Sequence, residues 1–414
     1  MDRVVAMILA GGRVDELSVL TFFRPKSAVP FGGLYRVIDF PMSNLMHSGI
    51  ERAGVLSQYR PYSLINHLDA GAPWDMVGRR RGVFILPPFK GLQASDWYKG
   101  TADAVYQNLD FIARFDPELV LIISGDHIYR MDYRPLIEFH RRHRADLTVA
   151  FTEIKDITGA HRFGQGEIED TYPDGGPLVS YVEKPSQLIH PWASLTIYVF
   201  RRPVLEEVLE ANAQESSHEF GRDIIPKMLG IYRVFGYKHR GYWGYSRTIE
   251  EYWQTNMDLL GPLPKIDLCA WQIRTNLAHR DVRDRQPTIV GPKARIENTL
   301  FYNGGEILGE VVNSILFPGV RIAEGARVKN SILFYDTVVE TGAHLEKVIA
   351  DAGVVVEAGV RVGAEAGWDG PVTVIGRQSR VASGVEIEPG VTIYPHLTPE
   401  AFSRPRYRSG EVIQ

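Results

Sequence analysis

Beyond Pro287, short aliphatic pairs are punctuated by glycine at a fixed interval, and few folds accept such a pattern. Ile289-Val290-Gly291, Ile307-Leu308-Gly309 and Val374-Ile375-Gly376 share the unit. Gly319 and Gly325 lie six apart, as do Gly353 and Gly359, and Gly384 and Gly390, while Gly291 and Gly309 are separated by three such units. A β-sandwich with glycine turns is one reading. The repeated period favours a β-helix, in which stacked coils bury a shared aliphatic interior and glycines accommodate the corners. Breaks in the period, particularly Gly363 to Pro371, read as loops or a bulge.

The chain ahead of this region is patterned differently. Up to about Leu260, short apolar runs alternate with amphipathic helical stretches, as a parallel sheet flanked by helices requires. Val4 to Leu9 reads as the first strand. Thr101 is placed to cap a helix in which Ala102, Val105, Leu109 and Ile112 share a face. Leu119 to Ile123 reads as a buried strand, Tyr133, Leu136, Ile137 and His140 as a helix, and Leu147 to Phe151 as a further strand. In doubly wound α/β folds ligands bind beyond the carboxyl ends of the strands, which directs attention to the loops after Leu9 and after Ile123. A helix from Thr248 to Leu260 ends at Gly261, Pro262, Leu263 and Pro264. The expected division is a first domain over 1–260, a linker over 261–286, and a repeat domain with its C-terminal tail over 287–414.

Composition narrows the function classes. At roughly 150 residues per domain, the chain's length suits two or three domains. With 46 basic against 50 acidic residues the formal charge is −4, so no global field recruits nucleic acid or an anionic membrane. The basic runs Arg79 to Arg81 and Arg141, Arg142, Arg144 read as solvated faces. Cys269 stands alone, which excludes an internal disulfide framework and a multi-thiolate metal site within one chain. Apolar runs are strand-sized, and a Gly-Gly turn interrupts the first of them, so neither a membrane span nor a signal sequence is expected. A cytoplasmic location fits best.

The segment from Leu9 to Gly33 reads LAGGRVDELSVLTFFRPKSAVPFGG. Gly11 and Gly12 allow backbone amides to approach phosphate oxygens, and Arg13, Arg24 and Lys26 add positive charge nearby. Two glycines after a strand also make a plain turn. The remainder of the segment resembles the signature of sugar-nucleotide pyrophosphorylases, and most of all the glucose-1-phosphate adenylyltransferase (ADP-glucose pyrophosphorylase) family. Further blocks resemble it in order: YRVIDFPMSN from Tyr35, SQYRPYSLINH from Ser57, WYKGTADAVYQN from Trp97, SGDHIYRMDY from Ser124, VEKP from Val182, ASLTIYVF from Ala193, EFGRDIIP from Glu219, and the terminal hexads.

The resemblance implies a Rossmann-like nucleotidyltransferase domain with a mixed, mainly parallel sheet, followed by a left-handed parallel β-helix. It implies a reaction in which the phosphate of glucose 1-phosphate attacks the α-phosphorus of ATP, giving ADP-glucose and pyrophosphate on the way to glycogen or starch. Such a transfer is catalysed by positioning and by neutralising phosphate charge, with Mg²⁺ as the cofactor of an active enzyme. On the matching positions, Lys26 and Arg13 are the basic residues near the phosphates, and Asp126 is a metal ligand. Gly11, Gly12, Gln58, Gly100 and Thr101 line the nucleotide, while Glu183, Lys184, Ser194 and Asp223 belong to the sugar-phosphate site. Most have a plainer reading: Asp126 caps a turn, Lys26 is a loop lysine, Thr101 caps a helix, Glu183 and Lys184 make a charged turn before Pro185, and Ser194 and Asp223 satisfy local backbone groups.

Departures from the family pattern point elsewhere. Where the family reads GGRGTRL and then PLT, Val14 replaces glycine, Glu16 replaces the catalytic arginine and Val19 replaces proline. Valine is poorly suited to the positive φ open to glycine. Losing a preorganised cationic donor costs about 3 to 4 kcal/mol, and Glu16 adds repulsion toward a triphosphate. Where the family reads YWRDVGTI, this chain reads YWGYSRTI from Tyr242. Tyr245 stands at the metal-binding aspartate, and Arg247 at a glycine, where it is expected to replace the missing cation in part and to pair with Glu16. Ser27, Thr196, Phe89-Lys90, Phe23 and Leu34 depart from further motifs, including those for base selection and activator response.

Two functions follow. One is a catalytically impaired, modulatory subunit that binds ATP, ADP-glucose or glucose 1-phosphate in a homo- or hetero-tetramer with a catalytic paralogue. The other is an active adenylyltransferase. Neither involves nucleic acid or a membrane.

Overall fold

The computed structural model describes residues 3–89, 97–154, 159–363 and 370–414. Lys90 and the break in the glycine period at 364–369 lie outside the described residues. The chain forms two compact units, one of Met1–Gly12 with Phe40–Trp243, the other of Arg13–Asp39 with Gly244–Gln414.

In the first unit, nine strands form one sheet: β1 (Val4–Leu9), β2 (Arg52–Leu56), β3 (Gly82–Leu86), β4 (Leu119–Ser124), β5 (Leu147–Glu153), β6 (Gln165–Ile168), β7 (Gly175–Val182), β8 (Trp192–Arg201) and β9 (Val234–Lys238), in the spatial order β3-β2-β1-β4-β8-β5-β9-β7-β6. β1 is parallel to both neighbours, Ala6 facing Ala53 of β2 and Leu121 of β4. Such strands are covered on both faces, which is why they read as unbroken apolar runs. β8 makes the sheet mixed, as expected, running antiparallel to β4 and β5. It returns beside β4 after the β6–β7 pair, and its register shifts between Ser194 and Tyr198.

The helical face expected from Ala102 to Ile112 is divided between α1 (Thr101–Tyr106) and α2 (Leu109–Phe115). Thr101 does not cap α1. Gly100 holds that position, and the Thr101 hydroxyl donates instead to Glu219, a tertiary partner that outcompetes the local cap. α3 (Tyr133–Arg142) buries Tyr133, Leu136, Ile137 and His140 as their spacing requires, and the Asp132 side chain caps it at the Arg134 amide.

In the second unit, parallel strands stack in three sheets, the arrangement of a left-handed β-helix of hexapeptide repeats. Its interior is built of aligned columns such as Ile307, Ile322, Val339, Val356 and Val381, one residue per coil. Corners need left-handed backbone, supplied at Gly319 and Gly325 by glycine and at Asn298, Asn313 and Asn330 by asparagine. Gly291 and Gly309 do otherwise than expected: neither has positive φ. A Cβ on Gly309 would stand 2.4 Å from the Ala326 carbonyl oxygen, so close stacking of coils requires that glycine.

The asparagine amides form a ladder, Asn298 donating to Asn313 at 2.7 Å and Asn313 to Asn330 at 2.5 Å. On this ladder rests α4 (Ile249–Met257), whose Trp253 indole donates to the Asn330 carbonyl at 2.7 Å. Thr248 and Glu251 form a reciprocal capping box at the start of α4. The helix is shorter than the expected Thr248 to Leu260, its last residues relaxing into a turn ahead of Gly261. The 261–286 stretch includes a short helix, Leu268–Trp271.

Candidate functional site

The second unit carries the altered loop. Val14 is extended, at φ −121° and ψ 108°, so valine sits there without strain, contrary to the expectation of a misfit. The path avoids positive φ at Val14 and takes it at Ser18, φ 47° and ψ −133°, inside the 3-10 stretch Asp15–Thr21. Thr21 closes the loop by donating to the Val14 carbonyl at 2.8 Å, and Leu17, Val19 and Leu20 anchor it by burial.

Cations of this loop are engaged within the chain. Arg13 pairs with Asp15 at 2.8 Å and lies over the Phe22 ring. Arg24, expected to supply charge near the phosphates, is buried and pairs with Asp351 of the β-helix. Lys26 is buried too, its ammonium 5.1 Å from the centre of the Tyr245 ring, a cation–π distance.

Glu16 accepts a hydrogen bond from Arg247 Nε at 2.8 Å. Partial burial works to raise the Glu16 carboxyl, but its own backbone amide, Arg247 and Lys26 together hold it below the ordinary glutamate value. Arg247 Nη1 donates to the Tyr245 hydroxyl at 3.2 Å, and its backbone amide donates to Glu251 of the capping box. Tyr245, Arg247 and Glu16 thus form one hydrogen-bonded row ahead of α4, with Lys26 on the tyrosine's face.

The remaining expected site residues fall in the first unit. Gly11 follows β1, where a Cβ would come 3.0 Å from the Gln58 amide nitrogen, so a larger residue would crowd this close approach of two loops. Gln58 accepts from the Tyr98 amide at 2.5 Å. Gly100 is indispensable for packing: a Cβ would lie 2.2 Å from the His218 carbonyl oxygen. Thr101 accepts from the Phe220 amide at 3.2 Å, linking the start of α1 to the segment holding Asp223.

Asp126 lies just past β4 and accepts from Ser124, with His127 Nε2 3.4 Å away. His127 packs edge-on against Trp243. Glu183 accepts from the Tyr181 hydroxyl at 2.9 Å and lies 3.6 Å from Lys184 Nζ. Burial, Tyr198 and Glu183 keep the Tyr181 phenol protonated, so it acts as a donor. Ser194 lies beside the irregularity in β8, where Thr196 takes φ 53°, a conformation better suited to the glycine of the related pattern. Asp223 accepts from Ser217 at 2.7 Å and from the Glu219 amide at 2.7 Å, so one of its oxygens serves the local backbone. Sequence reading missed Glu219, His127 and Asp351. Glu219 and His127 both stand in segments that resemble the family, but only the fold brings Glu219 to Thr101.

Among the described residues no group of three or more His, Cys, Asp or Glu could hold a metal ion, and no helix is long and apolar enough to cross a membrane. At Tyr245 a phenol is hydrogen-bonded by a guanidinium and faced by an ammonium, surroundings that offer a metal ion no carboxylate.

A sheet followed by a hexad β-helix, with glycines at the close of β1 and a carboxylate past β4, defines a nucleotidyl transferase. Residues 5–261 match the family model for nucleotidyl transferases, and residues 290–387 match the model for the GlmU-like C-terminal hexapeptide domain. A protein of Thermotoga neapolitana named glucose-1-phosphate adenylyltransferase is 47% identical over 100% of this chain and 99% of its own length. One of Thermotoga maritima with the same name is 46% identical over the same shares. Another of Clostridium perfringens is 45% identical over 79% of this chain and 82% of its own. The chain belongs to the glucose-1-phosphate adenylyltransferase family.

Proposed function

We propose that this chain binds the nucleotide and sugar phosphate of its family but turns them over weakly or not at all alone, serving as a modulatory subunit beside a catalytic paralogue in a tetramer of ADP-glucose synthesis for glycogen or starch. The observation that carries this reading is the Glu16–Arg247 pair at 2.8 Å. In the family reaction an oxygen of glucose 1-phosphate bonds to the α-phosphorus of ATP, and the α–β anhydride bond breaks to release pyrophosphate. Negative charge must be neutralised throughout, and a carboxylate in the loop opposes that. Arg247 compensates little, because its guanidinium already answers Glu16.

The row of Tyr245, Arg247 and Glu16 replaces metal chemistry with an internally balanced set of charges. Asp126 remains as a single carboxylate toward Mg²⁺, which would polarise the phosphates of bound nucleotide. Lys26 is proposed as the phosphate contact, Gly11, Gly12, Gln58, Gly100 and Thr101 as the nucleotide's surroundings, and Glu183, Lys184, Ser194 and Asp223 as those of the sugar phosphate.

The alternative, an active adenylyltransferase, is favoured by relatives that carry the enzyme's name across the full length of this chain. Purified chain supplied with ATP, glucose 1-phosphate and Mg²⁺ separates the two. Retained ATP binding with little ADP-glucose supports the modulatory reading. Turnover at rates typical of enzymes, about 1 to 1000 per second, supports the alternative.

A further inference from the structure

Buried carboxylates are costly unless paired, and Asp351 is buried completely, 0% exposed, at a turn of the β-helix directly after the strand Val348–Ala350. Arg24, 8% exposed, meets it with Nη2 at 2.5 Å from Oδ1. The turn itself is fixed. The Asp351 amide donates to the Ile375 carbonyl at 2.9 Å in the next coil, Oδ1 also accepts from the Ala352 amide at 2.6 Å, and Thr337 donates to the Asp351 carbonyl at 3.3 Å. Arg24 in turn lies over the Phe334 ring, 5.9 Å from its centre.

Arg36 and Arg377 stand close enough to Arg24 for their charges to repel it, so Asp351 supplies the counter-charge that holds Arg24 in place. The path from Arg24 to Lys26 is stiff. Pro25 lies between them at φ −68°, and the turn Lys26–Ala28 closes with the Ala28 amide on the Pro25 carbonyl at 3.0 Å. Beyond it, the Ile38 amide donates to the Ser27 carbonyl at 2.9 Å. A displacement of Arg24 therefore passes to Lys26 and to its seat on Tyr245.

We propose that Asp351 is a positioning residue for Lys26, acting through Arg24, so that a carboxylate in the β-helix sets where the loop's ammonium stands toward phosphate. This rests on the proposed role of Lys26 as a phosphate contact. It adds a requirement that the loop motif does not contain.

Calorimetric binding of ATP and of adenosine to the full chain tests the idea, with wild type, Lys26→Ala, Asp351→Asn and the double variant. Lys26→Ala is expected to weaken ATP and spare adenosine. Asp351→Asn is expected to raise the Kd for ATP roughly three- to tenfold, to spare adenosine, and to add nothing in the Lys26→Ala background. No loss in Lys26→Ala overturns the phosphate role of Lys26 itself. Loss in Lys26→Ala with none in Asp351→Asn, or full additivity of the two, overturns the positioning role alone. Should Asp351→Asn fail to fold, Arg24→Met with Asp351→Leu removes both charges together. That folded variant is expected to show the same weakening of ATP, and wild-type affinity in it overturns the proposal.

Discussion

Glu16 and Arg247 lie on segments far apart in the chain, yet the carboxylate and the guanidinium meet at 2.8 Å. Each departs from a family pattern at its own position, and each answers the charge of the other. Together with Tyr245 they form a hydrogen-bonded row in which one carboxylate and one guanidinium balance.

Relieving this pair changes nucleotide affinity more than stability. Both side chains are substantially solvated, and pairs of that kind contribute at most about 1 kcal/mol. Glu16→Gln is expected to leave the melting temperature nearly unchanged and to tighten ATP binding about three- to tenfold, since a repulsive charge is lost and Arg247 is released. Calorimetry at low salt, where screening is weakest, is the suitable measurement. Unchanged or weaker ATP binding would show that Glu16 does not face the phosphates. The folded Glu16 carboxyl titrates below its ordinary value of 4.5, so its contribution to stability is present above that pH and is lost as the pH falls through the folded value. Any stability gap between wild type and Glu16→Gln should accordingly vanish in acid.

His140 gives the first unit a larger dependence on pH. It is buried in α3 against β5, with Nδ1 2.9 Å from Thr148 Oγ1. Burial lowers its titration from 6.5 to about 4, with Arg141 and Arg201 contributing and Asp146 opposing. The unfolded chain takes up this proton near 6.5 and the folded chain only near 4, so stability falls between those values as pH drops. A shift of that size corresponds to a loss on the order of 3 kcal/mol. Urea unfolding from pH 7 to 4 is expected to show it, and His140→Gln should flatten the curve. An equally steep curve in the variant would assign the loss to other groups.

Thr196 holds left-handed backbone at φ 53° within β8, a conformation that costs a branched residue about 1 to 2 kcal/mol. Thr196→Gly removes that strain and adds some chain entropy to the unfolded state. A net gain of about 1 kcal/mol is expected in chemical unfolding. Gly100→Ala should act in the opposite sense, because its new methyl would stand 2.2 Å from a backbone oxygen. A Thr196→Gly variant less stable than wild type would mean that the threonine's contacts outweigh its backbone strain.

Much of this was legible in sequence because the physics is local. A six-residue glycine period dictates stacked coils, and unbroken apolar runs dictate strands covered on both faces. Tertiary partners defeated the rest. Thr101 has the chemistry of a helix cap, but Glu219 takes its hydroxyl from 118 positions away. Val14 reads as a misfit only if the loop keeps its glycine conformation, and the backbone instead places positive φ at Ser18. Arg24 reads as a cation for phosphate until Asp351, 327 positions on, is found against it. Nothing in the spacing of those two residues announces their contact.

The most direct test of the central claim is ADP-glucose formation by Glu16→Arg with Tyr245→Asp, assayed beside wild type and each single change in ATP, glucose 1-phosphate and Mg²⁺. If charge at these two positions is what impairs the chain, the double variant should gain at least about 100-fold over wild type and exceed either single change, as expected for restoring a preorganised donor. Strong turnover by wild type, or no gain in a folded, ATP-binding double variant, would contradict it.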